Sequence, residues 1–252
     1  MIFIDNSKTD FEKYATKHVG INSNTLSNVI NDVDNSLTPY ILEEREMRMT
    51  QMDIFSRLMR DRIIWVAGTI NDNVSTVVQA QLLYLENVDK TKDVTLHLDT
   101  PGGSVKSGLS MVDMMEYVEY DIVTVNTGMC ASMGSVLLAA GTPGKRSSLR
   151  FSKVMIHQVS SHGGGGNIQD NRINHLEAEK YNFMLAKLLG KYSNKTWQDI
   201  VKLNTRDKWL TAEESKEYGF IDEIVGSNKG EINSVSKLMR GFEDYMKTIQ
   251  KQ

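Results

Sequence analysis

Cysteine and long apolar runs are scarce in this chain of 252 residues, and each scarcity narrows the class of protein. The single cysteine, Cys130, excludes a disulfide within the chain and fits a reducing compartment. No segment approaches the roughly 18 uninterrupted apolar residues of a membrane-spanning helix. The first residues, MIFID, lack the basic start and long apolar segment of an export signal. We therefore expect a cytoplasmic protein that does not enter a membrane.

Metal-binding patterns and strong net charge are also lacking. The sequence contains no H-E-x-x-H motif and no paired cysteines, so we expect no catalytic metal. A net charge of -3 gives no reason to expect nucleic acid as the main partner. With 40% hydrophobic and 24% charged residues, the chain can bury a sizeable core.

Short apolar strands alternate with amphipathic helices through the middle of the chain. The expected strands, the first of them buried, cover 62–68, 94–98, 122–126 and 154–157. The expected helices cover 53–59, with Asp53 as its cap, 74–86, 104–117 and 168–192. Thr211 and Glu214 have the spacing of a capping box at a further helix start. This alternation predicts an α/β fold built on right-handed crossovers.

The two ends of the chain differ from this middle part, which covers residues 37–226. Residues 1–36 are rich in Asn, Asp, Ser and Lys, so we expect an N-terminal extension outside the core. Residues 227–252 form a C-terminal extension whose apolar residues share one helical face. We expect this amphipathic helix to pack onto the body, with a partner surface as the alternative.

Ser132 stands in the segment GMCASMG, residues 128–134, directly before an apolar run. That run predicts a helix beginning at Ser132, whose unpaired N–H groups and partial positive charge suit the oxyanion of acyl transfer. The N–H of Met133 is the natural donor. A serine here often only caps the helix, and this segment alone supports both interpretations equally. The segment is not a G-x-S-x-G elbow, because Cys130, expected to be a small buried residue, replaces the first glycine.

His157 and Asp207 are candidates for activating the Ser132 hydroxyl. A hydroxyl needs a base to take its proton, and the base needs a third group to fix its tautomer. His157 ends an apolar strand, where histidine is more often structural. Asp207 lies in the segment NTRDKW, where we consider a buried orienting carboxylate, although a solvated loop charge is the default interpretation of these residues alone. Asp199 and Asp222 are its nearest rivals.

The turn Pro101-Gly102-Gly103 follows a predicted strand. Two glycines allow tight backbone geometry and can leave an N–H free to face a ligand. Gly103 is therefore a candidate for a second oxyanion donor, although an ordinary strand-to-helix turn explains the same residues.

Six short segments, in order and with similar spacing, carry a resemblance to a known family. They are DIFSRL at 53–58, PGGSV at 101–105, GMCASMG at 128–134, GKR at 144–146, VMIHQ at 154–158 and EYGFID at 217–222. From about Leu37 to Val225 the chain closely resembles the ClpP family, the proteolytic subunits of ATP-dependent Clp proteases. The resemblance implies that Ser132 is the nucleophile, His157 the general base and Asp207 the orienting residue. It also implies an oxyanion hole formed by the backbone N–H groups of Gly103 and Met133.

The resemblance further implies a crotonase-like α/β fold with a protruding handle, a strand plus a long helix, over residues 158–192. Seven subunits would form a ring, and two stacked rings would enclose a chamber as a tetradecamer. Residues 37–52 would be the axial loop at the pore. A hexameric AAA+ unfoldase of the ClpX, ClpA or ClpC type would use ATP to thread unfolded protein inside. The subunit itself would need no cofactor, and it has no G-x-x-x-x-G-K-[ST] loop.

Several positions depart from the family pattern. Val159 stands where many relatives have proline, and residues 160–166 differ from the usual handle loop. His97 occupies a place where relatives often carry an aromatic residue for docking the unfoldase, although Tyr117 keeps an aromatic residue nearby. Residues 1–36 are expected to be a propeptide removed by self-cleavage, which the intact mass of a Ser132→Ala variant tests.

The sequence thus predicts a serine endopeptidase that cuts unfolded proteins inside an oligomeric chamber. One alternative is a crotonase-type acyl-CoA enzyme, which shares the fold and a glycine-based oxyanion hole. Another is a non-catalytic ring subunit, and a third is a specialised, phage-type processing protease with a folded substrate. The complete set of Ser132, His157 and Asp207 disfavours the first two. The unusual handle and the two extensions keep the third open.

Overall fold

The computed structural model describes residues 40–45, 48–160 and 167–226, together with 239, 241, 242, 246 and 249. Three expected segments lie outside these residues: the propeptide, residues 161–166 of the handle loop, and most of the C-terminal extension. The chain divides into two compact units, with the boundary in sequence between Asp61 and Arg62.

The first unit contains an antiparallel strand pair and a short helix. Strand β1 (Tyr40–Arg45) pairs with strand β2 (Arg48–Asp53), and helix α1 (Ile54–Arg60) follows directly. The Asp53 carboxylate accepts hydrogen bonds from the amides of Phe55 and Ser56, each at 3.0 Å. Its bonds to the hydroxyl and amide of Ser56 lower the pKa of Asp53. The predicted cap at Asp53 is therefore confirmed.

The second unit is built on a seven-stranded sheet. Its strands are β3 (Ile63–Ala67), β4 (Val94–Thr100), β5 (Ile122–Ala131), β6 (Arg146–Leu149), β7 (Lys153–Ile156), β8 (Lys208–Leu210) and β9 (Glu223–Val225). Strands β3, β4, β5, β6 and β9 are parallel neighbours in that order. Strand β7 runs parallel to the end of β5, and β8 runs antiparallel to β7.

Strand β5 extends beyond the predicted range 122–126 and changes its partner halfway. Residues Thr124–Asn126 pair with β6, whereas Met129–Ala131 pair with β7. A bulge interrupts the pairing with β4 between these two parts. A Cβ atom on Gly128 would lie 2.6 Å from a carboxylate oxygen of Asp99, so a larger residue there would require the Asp99 side chain to move. Beyond the bulge, the carboxyl end of β5 lies beside β7.

Helices connect these strands and confirm the predicted α/β fold. They are α2 (Asp72–Val88), α3 (Val105–Tyr117), α4 (Met133–Ala139), α5 (Ile168–Lys191), α6 (Trp197–Leu203) and α7 (Ala212–Tyr218). The predicted capping box is present. Thr211 Oγ1 accepts from the Glu214 amide at 3.2 Å, and the Glu214 carboxylate accepts from the Thr211 amide at 2.8 Å. Within the described ranges, every helix is too short or too polar to cross a membrane.

The sequence predicted that the first strand of the sheet is buried, but only one face of that strand is buried. Ile64 and Val66 are buried, but Trp65 is 43% exposed. Among the described residues β3 pairs only with β4, so it is an edge strand, and the face that carries Trp65 is partly exposed. On that face Trp65 stacks on His97, with ring centroids 5.0 Å apart. A continuous apolar run cannot distinguish this arrangement from a central strand.

Arg146 ties together the ends of three elements. Its buried guanidinium donates to the carbonyl oxygen of Ala139 at the end of α4 and to that of Tyr192 at the end of α5. It also forms two hydrogen bonds, at 2.9 and 2.6 Å, with the carboxylate of Asp222 next to β9. The guanidinium thus interacts with the negative ends of two helices. Its hydrogen bonds lower the pKa of Asp222.

We expect Asp222→Asn to lower the free energy of unfolding at pH 7 by on the order of 2 kcal/mol, because the guanidinium loses its charged partner. The folded-state pKa of Asp222 is depressed, so its contribution is complete above the unfolded-state pKa, about 4. It is lost as the pH falls through the lowered pKa. The difference between the two proteins should therefore shrink below about pH 4.

Urea unfolding across this pH range measures the effect. Asp121→Asn is the matched control, because Asp121 pairs with Lys145 at the surface, where an ion pair contributes little. Equal urea midpoints for Asp222→Asn and the unaltered protein at pH 7 would contradict the expectation.

Candidate active site

The register of the sheet brings three predicted site residues to one edge. Ser132 and His157 directly follow β5 and β7, which are parallel neighbours. Asp207 directly precedes β8, which is antiparallel to β7 and therefore starts at the same edge. The Ser132 amide donates to the Met155 carbonyl oxygen at 2.8 Å and extends the pairing by one residue. Groups far apart in sequence thus meet because of strand order.

The imidazole of His157 lies between the other two side chains. Its Nε2 is 2.8 Å from Ser132 Oγ, within hydrogen-bonding distance. Its Nδ1 is 3.5 Å from Asp207 Oδ1, a longer ionic contact. One ring nitrogen can therefore accept the hydroxyl proton while the other faces a carboxylate.

The backbone at Ser132 has an unusual conformation. Its φ is 53° and its ψ is -120°, which a residue with a side chain rarely adopts. Helix α4 begins at the next residue, but the Ser132 side chain forms no capping hydrogen bond with it. The interpretation of Ser132 as a mere helix cap is therefore wrong. The turn directs the hydroxyl to His157.

Two backbone amides beside Ser132 are available for a ligand. In the described part of the chain, the amides of Gly103 and Met133 donate to no other group. Gly103 is held in place because Ile70 bonds to both of its neighbours: the Ile70 amide donates to the Gly102 carbonyl and the Ser104 amide donates to the Ile70 carbonyl, each at 2.9 Å. Paired amides of this kind can stabilise an oxyanion.

The glycine turn approaches the serine segment so closely that a side chain would not fit. Gly102 has a φ of 92°, and a Cβ atom there would lie 2.7 Å from Ser132 Cβ and 2.9 Å from the Met133 amide nitrogen. Glycine at this position is therefore required for the two amides to face the same space.

A cavity opens beside Ser132, towards the carboxyl-terminal half of α5. Gly103, Met133 and His157 border it together with Ser132. Its apolar lining includes Val105, Val136, Leu185 and Leu189, and Ser135, Gln158 and Asn204 add polar groups to it. This mixed lining offers a place for a substrate group next to the hydroxyl.

Asp207 is not buried, so its interpretation as a buried carboxylate is wrong, and its exposure is that of a loop charge. Its side chain is 63% exposed, because it lies in the open turn between α6 and β8. Both rivals are engaged elsewhere. Asp199 forms the capping box of α6 with Thr196, and Asp222 pairs with Arg146. Of these three carboxylates, the described structure brings Asp207 to His157.

Cys130 is completely buried, as the sequence predicted. Burial raises the pKa of its thiol well above the ordinary value. Because the thiolate is the reactive form, this cysteine is a poor nucleophile. In the described ranges, no cluster of His, Cys, Asp or Glu side chains has the geometry of a metal site.

Sequence reasoning missed two residues that support the site. Thr100 Oγ1 accepts from the Gly102 amide at 3.1 Å, and Ser135 Oγ donates to the Ser132 carbonyl oxygen at 2.6 Å. Thr100 had a usable signal, because it directly precedes the Pro-Gly-Gly turn. Ser135 had none, since a serine in the first turn of a helix is common.

Comparisons with known proteins identify the family of this chain. The sequence profile of the Clp protease family matches residues 44–228. A Bacteroides fragilis protein named ATP-dependent Clp protease proteolytic subunit is 47% identical over 216 residues, 86% of this chain and 98% of that protein. Proteins of the same name from Porphyromonas gingivalis and Streptococcus pyogenes are 44% identical over 220 residues and 43% identical over 194 residues. These cover 87% and 77% of this chain, and 99% of each relative.

The resemblance predicted from the six segments is thereby confirmed, together with the serine hydrolase chemistry inferred from the residues. Members of this family need no cofactor of their own. The chain belongs to the Clp protease family, the serine proteases that act as proteolytic subunits of ATP-dependent Clp proteases and hydrolyse peptide bonds.

Proposed function

We propose that Ser132, His157 and Asp207 are the catalytic residues of a serine endopeptidase that cuts unfolded polypeptides. The contact of 2.8 Å between Ser132 Oγ and His157 Nε2 carries this proposal. It lies beside two amides without another acceptor and beside a cavity. A nucleophile, a base, an oxyanion site and a place for a substrate side chain therefore converge.

In the first half of the reaction, Ser132 Oγ attacks the peptide carbonyl carbon while His157 Nε2 takes the hydroxyl proton. The carbonyl oxygen becomes an oxyanion and accepts hydrogen bonds from the amides of Gly103 and Met133. The C–N bond then breaks, and His157 gives its proton to the leaving amine. An acyl-enzyme ester at Ser132 remains.

In the second half, water replaces the amine. His157 takes a proton from the water, whose oxygen attacks the ester carbonyl carbon. The Ser132–acyl bond breaks, and the proton returns to Ser132 Oγ. Asp207 stabilises the imidazolium in both halves, and its exposure and distance of 3.5 Å make this contribution weaker than that of a buried partner.

We expect Ser132→Ala to lower kcat for a fluorogenic peptide by on the order of 10⁶-fold, because no other group can form the acyl-enzyme. It should also abolish labelling by a fluorophosphonate probe. Cys130→Ala is the matched control for the neighbouring nucleophile and should keep both properties. Peptide mass spectrometry locates the label. Labelling of another residue, or hydrolysis that survives in Ser132→Ala, would refute the assignment.

We expect Asp207→Asn to lower kcat by about 10- to 10²-fold, less than the loss of about 10⁴-fold for a buried partner, and to leave KM nearly unchanged, because the imidazolium loses its counter-charge. Asp199→Asn is the control, since an amide oxygen can still accept the capping hydrogen bond in α6. Steady-state kinetics on the same peptide distinguish the two variants. If Asp199→Asn lowered kcat more than Asp207→Asn, the assignment of the orienting role to Asp207 would be wrong.

We further propose that the chain works in the cytoplasm as heptameric rings stacked into a tetradecamer. Family membership supports this assembly. The amino-terminal part of α5, within the expected handle, exposes Ile168, Ile173 and Leu176, and Ile168 is 84% exposed. Exposed apolar side chains in a row on one helix are typical of a surface that another subunit covers.

Protein substrates would reach the chamber through an AAA+ unfoldase of the ClpX, ClpA or ClpC type. The exposed aromatic rings of Trp65 and Tyr117 support a docking surface for such a partner. We expect short peptides to be hydrolysed without the unfoldase, and a folded, tagged protein to be degraded only when unfoldase and ATP are both present. Loss of substrate fluorescence measures this. Cleavage of the folded protein by the chain alone would favour the specialised processing protease instead.

A further inference from the structure

Thr100 is completely buried at the end of β4, where three segments of the site meet. The loop after β3 lies on one side, the Pro-Gly-Gly turn follows it, and the start of α4 lies over it. The proposed chemistry gives Thr100 no contact with a substrate. Its contacts nevertheless involve both segments that carry the oxyanion donors.

The hydroxyl of Thr100 fixes the glycine turn. It donates to the Gly68 carbonyl oxygen at 2.6 Å and accepts from the Gly102 amide at 3.1 Å. The second bond orients the residue directly before Gly103. Because glycine is conformationally free, a turn with φ values of 92° and 152° needs such bonds to hold one conformation.

The methyl group of Thr100 limits the position of α4. A Cβ atom on Gly134 would lie 2.7 Å from Thr100 Cγ2, so the helix lies directly on this methyl group. Gly134 follows Met133, whose amide is the other donor. The position of that amide therefore depends on the same side chain.

We propose that Thr100 is a positioning residue that sets the distance between the amides of Gly103 and Met133. Its hydroxyl holds the turn and its methyl group supports the helix, so one rigid β-branched side chain determines both positions. This inference rests on the proposed function of those amides as the oxyanion hole. Donors that are held in place before the reaction stabilise the oxyanion without reorganising.

Two substitutions separate the hydroxyl from the methyl group. Thr100→Val keeps the shape but removes both hydrogen bonds, and we expect kcat to fall about 10- to 100-fold with KM nearly unchanged. Thr100→Ser keeps both hydrogen bonds but removes the methyl group, and we expect a smaller fall in kcat than in Thr100→Val, because only the support of α4 is lost. Steady-state kinetics on one fluorogenic peptide give both values.

The affinity for a peptide boronate distinguishes positioning of the oxyanion donors from a merely structural role, which would leave that affinity unchanged. Its tetrahedral adduct with Ser132 places an oxygen where the oxyanion forms. We expect the boronate to bind Thr100→Val more weakly by the same factor by which kcat/KM falls. An unchanged boronate affinity, or a rise in KM alone, would overturn the proposal.

A double variant tests the contact between the Thr100 methyl group and Gly134. This test remains possible if Thr100→Val does not fold. Gly134→Ala should lower kcat, because the new Cβ displaces α4 from Thr100 Cγ2. Adding Thr100→Ser removes that methyl group and should restore part of kcat, a coupling that independent sites do not show. If the two losses in kcat simply added in the double variant, the proposed role of the methyl group in positioning α4 would be overturned.

The two proposals fail in different ways. If the unaltered chain shows no hydrolysis that depends on Ser132, the proposed function fails, and the inference on Thr100 fails with it. If hydrolysis depends on Ser132 but Thr100→Val keeps full kcat, only the role of Thr100 is overturned.

Discussion

Halfway along β5 the chain stops pairing with β6 and begins to pair with β7, and the positions of the proposed catalytic groups follow from that exchange. Both strands run parallel to β5, but His157 follows β7, so the pairing with β7 is what places Ser132 next to His157. A bulge in the pairing of β5 with β4 lies between the two parts, and bulges bend a strand locally. A defect in regular strand pairing is thus the condition for the site.

The unfavourable backbone at Ser132 is held by its surroundings. A residue with a side chain at positive φ costs about 1–3 kcal/mol. The following helix, Met133–Ala139, is buried along its whole length, and each large apolar side chain there contributes about 1.5–3 kcal/mol. Releasing the turn would displace that helix from the core. The backbone strain at Ser132 is therefore offset by the packing of the helix that follows it.

The parts of this structure that depend on neighbours in sequence could be predicted, whereas the parts that depend on distant contacts could not. The Asp53 cap and the Thr211 capping box lie within three residues of their partners and were predicted. Ser132 and His157 were candidates from their own segments, and the family resemblance distinguished them from a helix cap and a structural histidine. The exposure of Asp207 and of Trp65 depends on which elements of the fold pack against them. A short segment of sequence does not determine that packing.

Helix α5 joins the site to the surface that we propose for assembly. Its carboxyl-terminal half borders the cavity through Leu185 and Leu189. Arg146 holds the carbonyl of Tyr192 at this end, and Glu116 accepts hydrogen bonds from Lys191 and from the Tyr192 hydroxyl. Its amino-terminal part is mostly exposed.

The helix is thus fixed at the end that shapes the cavity and open at the end that carries the exposed apolar side chains. Because a helix is stiff over this length, a subunit that contacts the open end acts on an element whose position at the cavity is already set. The ion pair of Arg146 with Asp222 therefore belongs with the catalytic geometry as much as with the stability of the sheet. It places the end of α4 and the end of α5 relative to each other.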